Sequence, residues 1–459
     1  MYRFNLLLVI FFMAVRLIWL AADPPNIISS SVVGDEGYWI HNARLDRLFD
    51  RAFTDDFVED VMVAPLLSLL LRVSFAFFGV GFWQARFIPA LFGVGSIWLM
   101  WKLLRSVGRI NALAGVAILS SSFLIFSVNR LVMGESVAEF FILLTFCLIV
   151  QNRCQLAGVS LGLAILSKSN SILILPAYII ANLIVPKKFS LDGNIKLLAI
   201  ALLTAIIGFS LVQIYSGHSV FDTYLKLSGT DYVPKDFIQV WMNFKGFVKN
   251  PVWWQWGISV VALGAAIGFL YQKKSLVSSL ATGLILSQVI FISLLSNQGS
   301  DHRFVFLFLG LVILFSYQPI KIMIMLGVIW FIWQLSLATN YFSHISFTLR
   351  DASSKIGSIS QPGDKITGFF SHQLVFENQL YPVYWAPGHD KFRGINEDID
   401  KWKPNFLLQI LNVDGLDGKV FTPFLQTDMG IRQEIVAKIK ILPMNNDYQV
   451  VANLRRIEW

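Results

Sequence analysis

Two adjacent carboxylates follow the first apolar stretch of the chain, in the segment VVGDEGYWIHNARLDRLF at residues 32–49. They belong to Asp35 and Glu36, and aromatic and basic residues follow them closely. A carboxylate can act as a general base by accepting the proton of an attacking hydroxyl group. This pair is therefore the first candidate for catalysis.

Charged and polar groups also recur where later apolar stretches begin or break: Arg130 and Glu135 in NRLVMGESVAEFF, Lys168 in LAILSKSNSIL, and His302 and Arg303 in SNQGSDHRFVFLFLG. A charge at membrane depth costs about 2.5–3.5 kcal/mol on insertion scales, so it is usually functional. A local ion pair, a snorkelling side chain or an interfacial cap explains each group singly. Together they predict a site for an anion, since Arg matches the oxygens of a phosphate.

The composition is that of an integral membrane protein. The chain has 459 residues, of which 55% are hydrophobic and 14% are charged, whereas a soluble domain carries about 25% charge. The net charge of +8 is explained by basic residues in short loops, which set membrane topology, so we expect no nucleic-acid partner. The two cysteines, Cys147 and Cys154, indicate neither a disulfide framework nor a metal cluster.

Repeated apolar stretches of about 20 residues predict membrane helices. Two regions leave alternatives open. Residues 61–79 either cross the membrane or lie at its interface, and residues 155–186 form one long helix or two short ones broken at Lys168. The positive-inside rule favours an interfacial 61–79 and two crossings in 155–186. This topology has about 11 transmembrane helices, a cytoplasmic N-terminus and an external C-terminus.

The topology predicts two domains. Residues 1–337 form the transmembrane domain, with external loops at 23–86 and 217–252, and residues 338–459 form a small external α/β domain. In the first loop, residues 36–52 predict an amphipathic helix on the membrane surface, with Arg44 in its basic stripe.

The external domain is predicted from alternating patterns. The segments DKITGFFSHQLVFENQLYPVYW and KVFTPFLQTD predict strands with turns between them. The segment DMGIRQEIVAKIKIL predicts a helix.

Five segments, in order along about residues 1–320, carry a resemblance to a known family. They are DEGYW, ARFIPALFGVGSIWLMWKLLRSVG, NRLVMGES, GLAILSKSN and HRFVFLFLGLVIL. In these segments the chain resembles glycosyltransferase family 39 of the GT-C superfamily, which includes the protein O-mannosyltransferases and the lipid A aminoarabinose transferases. The resemblance implies a polytopic α-helical GT-C fold.

The resemblance also implies a reaction. The donor is a sugar on a polyprenyl phosphate, and the acceptor is a hydroxyl group of a lipid, a glycan or a protein. Asp35 takes the place of the catalytic aspartate, the general base of an inverting transfer. Glu36 orients the acceptor or helps to hold a divalent metal. Metal dependence varies within the superfamily, so the resemblance fixes no cofactor.

The cations receive roles from the same resemblance. Lys168 and Arg303 bind the donor phosphate, together with the neighbouring His302 and with Arg130. Arg130 matches the arginine of the mannosyltransferases' arginine-x4-aspartate motif, and Glu135 stands where those enzymes have aspartate.

One part of the family pattern is missing. Many relatives carry Lys or His followed by two prolines before the second helix of the first loop, but here the stretch reads VMVAPLLSL, with Pro65 and no cation. His41 and Arg86 are the candidates to supply that cation.

Other functions remain as alternatives. A transporter or flippase of lipid-linked sugars explains polar residues at membrane depth but needs neither the carboxylate pair nor an external domain. A polysaccharide polymerase or ligase uses the same donor class but transfers a whole glycan. We expect a location in a bacterial inner membrane with the active site on the periplasmic side, because the chain lacks the extra luminal domain of eukaryotic mannosyltransferases.

Overall fold

The computed structural model describes residues 10–11, 14–25, 30–51, 58–185, 191–221, 237–271, 275–295, 301–368, 370–383, 403–412, 432–444 and 448–458. Contacts divide the chain into two compact units. The helical unit comprises Met1–Ile18, Met62–Leu67 and Pro89–Phe342. The mixed unit comprises Trp19–Val61, Ser68–Ile88 and Ser343–Trp459. The predicted domain boundary after residue 337 stays a prediction.

The described elements are mostly helices. In chain order they are α1 Ser30–Phe49, α2 Val58–Val63, α3 Pro65–Phe78, α4 Phe82–Arg105, α5 Arg109–Ser121, α6 Phe123–Asn129, α7 Gly134–Val150, α8 Cys154–Ser167, α9 Ile174–Ile184, α10 Leu191–Ser216, α11 Phe237–Lys249, α12 Val252–Gln255, α13 Ile258–Tyr271, α14 Leu276–Leu295, α15 Phe304–Phe315, α16 Ile320–Ser343 and α17 Thr348–Ile359. The strands are β1 Lys365–Thr367, β2 Tyr381–Pro382, β3 Phe406–Asn412, β4 Arg432–Met444 and β5 Tyr448–Glu458.

Several helices are suited to a membrane. Among the described residues, α4, α10 and α16 are long and apolar enough to cross one, and two bent helix pairs raise the number to at most five. The bends are 61° between α5 and α6, and 110° between the helix that ends at Gln255 and α13. Apolar helices that are shorter than these include α3, α8, α9, α14 and α15. The predicted number of 11 crossings stays a prediction.

Both ambiguous regions contain a helix break. α8 ends at Ser167 and a 3-10 turn begins at Ser169, so the predicted break at Lys168 is confirmed. Residues 61–79 are divided at Ala64, between α2 and α3. Pro65 starts α3, because proline lacks the N–H that a first helical residue leaves unbonded anyway.

The helical unit contains a central helix that is apolar on all sides. Every residue of α15 is buried, as expected for a helix without a polar face. α15 packs against α13 and α14, and α8 packs between α7 and α10. α10 instead exposes Leu203, Ile207 and Ile214, an apolar surface suited to lipid.

The mixed unit contains a five-stranded sheet in the order β2-β1-β3-β5-β4. β1 is parallel to β2 and to β3, whereas β5 is antiparallel to β3 and to β4. α17 packs against β4 and against the 3-10 turn Gln373–Val375.

The helix predicted from DMGIRQEIVAKIKIL is wrong, because residues 432–444 of this region form β4. Ile439 and Ile441 are buried while Lys438 and Lys440 are exposed, which is the two-residue alternation of a strand. The strand predicted from KVFTPFLQTD lies outside the described residues. The segment DKITGFFSHQLVFENQLYPVYW contains β1 and β2, but a 3-10 turn lies between them.

The predicted basic stripe on the surface helix is also wrong at one position. α1 covers Ser30–Phe49, and Arg47 is exposed there as expected. Arg44, however, is fully buried. Its guanidinium donates to the carbonyl oxygens of Val375, Asn378 and Leu380, so this cation faces protein rather than lipid headgroups.

Candidate active site

Glu36 is the fully buried member of the carboxylate pair, and Arg86 is its partner. Arg86 Nε lies 2.6 Å from Glu36 Oε1, and Nη2 lies 2.7 Å from Oε2. The second terminal nitrogen of Arg86 donates to the carbonyl oxygens of Leu20 and Ala22, at 3.0 and 2.6 Å. This fork geometry is the strongest form of carboxylate pairing, so Arg86 joins α1 to α4 and to the chain before α1.

A glutamine completes the surroundings of Glu36. Gln373 Nε2 donates to Glu36 Oε2 at 2.7 Å, and both side chains are 0% exposed. Both carboxylate oxygens of Glu36 are therefore bonded within the protein. Asp35, the neighbouring residue on α1, is partly exposed. The structure thus gives the two adjacent carboxylates different environments.

His41 lies on α1 beside the C-terminal part of the mixed unit. Its ring is 4.9 Å from that of His372, and the ring of Tyr38 is 5.0 Å from His372. Burial, together with His41 and Arg44 nearby, holds the pKa of His372 well below its usual range. Burial lowers the pKa of Arg44 to about 9. At neutral pH the mixed unit therefore buries one cation here, Arg44, beside a neutral His372.

In the helical unit, Glu135, Lys168 and His302 come together from three different helix ends. Lys168 Nζ lies 3.2 Å from Glu135 Oε1, and His302 Nε2 lies 3.7 Å from the same oxygen. Glu135 is buried, whereas the side chains of Lys168 and His302 are each 12% exposed. Arg303 follows His302 and begins α15 as its N-cap residue. Lys168 and Arg303 together carry two positive charges against the one carboxylate of Glu135, so this region can accept an anion.

A glycine explains why two of these ends approach closely. A Cβ atom on Gly134 would overlap with the carbonyl oxygen of Ser167. Gly134 begins α7 immediately before Glu135, and Ser167 ends α8 immediately before Lys168. The absence of a side chain at Gly134 thus lets the start of α7 contact the end of α8. This contact brings the carboxylate of Glu135 close to Lys168.

Arg130 does not form the local ion pair with Glu135 that the sequence offers as an alternative. Its Nη1 donates to the carbonyl oxygens of Arg16 and Ile18, at 3.3 and 2.5 Å. Its guanidinium also lies 4.9 Å from the ring centre of Phe126. Arg130 therefore stabilises the end of the short helical segment at residues 14–17, where carbonyl groups lack helical partners.

Two features of the site escape sequence analysis. Gln373 is a neutral residue far from the motif in the chain, and no spacing marks it. The second is a buried network in which Asn129 accepts from Arg16 at 3.4 Å and donates to Ser136 and Glu139, at 3.1 and 3.2 Å. The charges of Arg16 and Glu139 within apolar stretches are the signal that could have indicated it.

Metal binding is the remaining question about the site. Within the described ranges, no group of three His, Cys, Asp or Glu side chains could hold a metal ion. The candidate ligand, Glu36, has both oxygens engaged by Arg86 and Gln373. A divalent metal at Glu36 stays a prediction.

Comparison with known proteins gives one family match and a related fold. Residues 62–215 match the family model described as dolichyl-phosphate-mannose-protein mannosyltransferase. This range contains Arg130, Glu135 and Lys168, but neither Asp35 nor His302. None of the curated proteins matches the sequence.

Two solved structures share the fold, and both are of ArnT from Cupriavidus metallidurans. The form bound to undecaprenyl phosphate is 13% identical, with a TM-score of 0.60 over 83% of this chain and 86% of that chain. The apo form is 12% identical, with a TM-score of 0.50 over 97% of each chain. At such low identity the likeness concerns the fold.

Proposed function

Because residues 62–215 match the dolichyl-phosphate-mannose-protein mannosyltransferase family model and the chain shares its fold with ArnT, we propose that it is a membrane glycosyltransferase of the GT-C superfamily, which transfers a sugar from a polyprenyl-phosphate-linked donor to an acceptor hydroxyl group. The reaction inverts the anomeric carbon, and Asp35 is its general base. It takes place on the external face of the membrane, which is the periplasmic face of a bacterial inner membrane. The acceptor belongs to a lipid, a glycan or a protein.

The contrast between the two carboxylates carries this proposal. Glu36 is buried, and Arg86 and Gln373 bond both of its oxygens. Asp35 is partly exposed on the same helix and can be reached by a substrate. A general base must come within hydrogen-bond reach of the proton that it removes. We therefore assign proton removal to Asp35 and the positioning of α1 to Glu36.

The bond changes balance without a further reactant. The acceptor oxygen gives its proton to Asp35 and forms a bond to the anomeric carbon. The bond from that carbon to the phosphate oxygen breaks, and the electron pair leaves with the polyprenyl phosphate. The leaving group carries the negative charge, so fixed cations close to it lower the barrier.

Lys168, His302 and Arg303 are the proposed groups for the donor phosphate. Their support is the cation-rich group around Glu135, in which each member lies at a helix end. A neighbour of the same fold, ArnT from Cupriavidus metallidurans, was solved with undecaprenyl phosphate bound, which supports a polyprenyl-phosphate leaving group here. Arg130 supports this region indirectly by binding the backbone carbonyls of Arg16 and Ile18.

The test is a release assay with purified full-length protein in lipid. A panel of radiolabelled polyprenyl-phosphate sugars is supplied together with lipid, glycan and peptide acceptors, and the release of polyprenyl phosphate is followed. We expect Asp35→Asn to lower release by about 10²–10⁴-fold, the usual contribution of a general base. Asp46→Asn is the matched control, because Asp46 lies on the same helix and faces Arg72 at 3.7 Å.

The outcomes separate the candidate functions. Release that depends on Asp35 and not on Asp46 supports the transferase, and the active donor identifies the sugar. Near-normal release by Asp35→Asn contradicts the assignment of the base. Movement of labelled lipid between leaflets without any release favours a flippase.

A further inference from the structure

The chain segment after β1 contacts α1 at Gly37. A Cβ atom on Gly37 would overlap with the backbone of His372 and Gln373. Gly37 directly follows Glu36 in the sequence DEGYW. A side chain at this position would push the two segments apart, so the glycine permits a backbone approach that no other residue allows.

Two polar tethers join the same segment to α1. Gln373 donates to Glu36 near the start of the helix, at 2.7 Å. Two helical turns further on, Arg44 donates to the carbonyl oxygens of Val375, Asn378 and Leu380, at 3.0, 2.9 and 2.7 Å. Residues two turns apart lie on one face of a helix. Hydrogen bonds at two points on one face resist both rotation of the helix about its axis and sliding along it.

The same segment also forms hydrogen bonds to α17 and to the start of α4. Asn378 Nδ2 donates to the backbone carbonyl of Ser353 at 2.9 Å, and the hydroxyl of Ser353 accepts from the backbone N–H of Glu377 at 3.0 Å. Glu377 accepts from the backbone N–H of Phe82 at 3.0 Å. α17 and the start of α4, which carries Arg86, are thus joined to the same short segment.

We propose that residues 372–380, which we call the clamp segment, set the rotation of α1 and thereby the position of the Asp35 carboxylate. Gln373 is the positioning residue of this device. The inference rests on the proposed function, in which Asp35 is the general base. It gives the C-terminal part of the chain a positioning role in catalysis, exerted through α1 and without any contact to substrate.

The chemistry of the tether explains why an amide serves here. Glu36 already has a cation in Arg86, so a second positive charge is not needed to neutralise it. A neutral donor fixes Oε2 in direction while leaving the charge of the pair balanced. Loss of that donor leaves the Glu36–Arg86 pair intact and removes one of the two tethers between α1 and the clamp segment, the one next to Asp35.

The test uses full-length protein in lipid and two variants of Gln373. Gln373→Met keeps the size of the side chain and removes the donor, and Gln373→Asn keeps a donor on a shorter chain. Gln409→Met is the matched control, because Gln409 is a buried glutamine of the same unit that accepts from Arg455 at 2.7 Å. The readouts are kcat, the donor KM, and hydrogen exchange of the backbone amides of residues 35–45.

We expect Gln373→Met to lower kcat by about 10–100-fold, the effect of misplacing a reacting group by about 1 Å. The donor KM remains within about twofold, because the phosphate-binding groups are unaffected. Amides of residues 35–45 exchange faster in this variant while those of α15 do not. Gln373→Asn gives an intermediate loss, and it decides the question if Gln373→Met does not fold.

An unchanged kcat in a folded Gln373 variant overturns the inference, as does unchanged exchange in residues 35–45. A loss of kcat equal to that of Gln409→Met also overturns it, since the effect is then general. Failure of the proposed function is seen separately, because Asp35→Asn then keeps the wild-type rate. In that case faster exchange of α1 in Gln373→Met still supports the clamp segment, and unchanged exchange rejects it.

Discussion

Removal of Arg86 tests the centre of the mixed unit most directly. Arg86 makes two hydrogen bonds to Glu36 and two to backbone carbonyls, and its side chain is 2% exposed. Arg86→Met fills a similar volume and removes all four bonds. Breaking a buried pair by deleting one partner costs about 3–5 kcal/mol, because a buried charge is left without compensation.

This geometry determines both the size of the stability loss in Arg86→Met and its coupling to a substitution of Glu36. In Arg86→Met the carboxylate of Glu36 loses its cation and keeps the neutral amide of Gln373, so most of the cost is the buried charge without a counterion. Glu36→Gln removes that charge, and we expect the double variant to recover about 2 kcal/mol or more of the loss. The two substitutions are then strongly non-additive, as expected for residues in direct contact.

The assay is the unfolding midpoint of each purified variant in the same lipid, compared in a double-mutant cycle. Arg72→Met is the control, because Arg72 Nε lies 3.7 Å from the half-exposed carboxylate of Asp46, beyond hydrogen-bond distance, and an ion pair that water reaches on one side contributes about 0–1 kcal/mol. Equal destabilisation by Arg86→Met and Arg72→Met contradicts the reasoning. So does a double variant whose loss is the sum of the two single losses.

Two further predictions concern the donor and pH. We expect Lys168→Met to raise the donor KM by about 10–100-fold, since a contact to a charged group contributes about 1.5–3 kcal/mol. The control is Lys196→Met, at an exposed lysine paired with Asp192, which leaves the donor KM unchanged. Equal donor KM values for the two variants contradict the proposed phosphate site. Because the pKa of His372 lies well below 6.5 in the folded protein, the unfolded chain binds more protons as pH falls below about 6.5, and stability falls by up to about 1.4 kcal/mol per pH unit. Unfolding midpoints between pH 7.5 and 5 measure this, and a slope that His372→Gln does not flatten refutes the assignment.

The sequence by itself determined the class of protein and part of the site. Hydropathy and charge are local properties, so apolar stretches and their interruptions indicate membrane helices and helix ends without any knowledge of packing. The break at Lys168 follows from one lysine in an apolar run. Lys168, Glu135 and His302 were expected together because each follows or precedes an apolar stretch on the same predicted side. The structure does bring these three side chains together.

Tertiary structure decided which side chains are partners. Glu36 bonds Arg86 and Gln373, which are 50 and 337 residues away in the chain. Arg130 binds the backbone carbonyls of Arg16 and Ile18 rather than the nearby Glu135. Nothing local selects one distant donor among many, because the choice depends on which elements pack together and how closely.

The strand β4 shows that local residue preferences do not by themselves determine secondary structure. Its sequence also contains residues that favour helices, and the helix predicted there was wrong. Pairing with β5 over almost its whole length overrides that preference, since strand formation depends on cross-strand neighbours. Sequence therefore determined where charge lies relative to apolar segments. Long-range packing determined what each charge binds, because a hydrogen-bond partner is defined by distance in space and not along the chain.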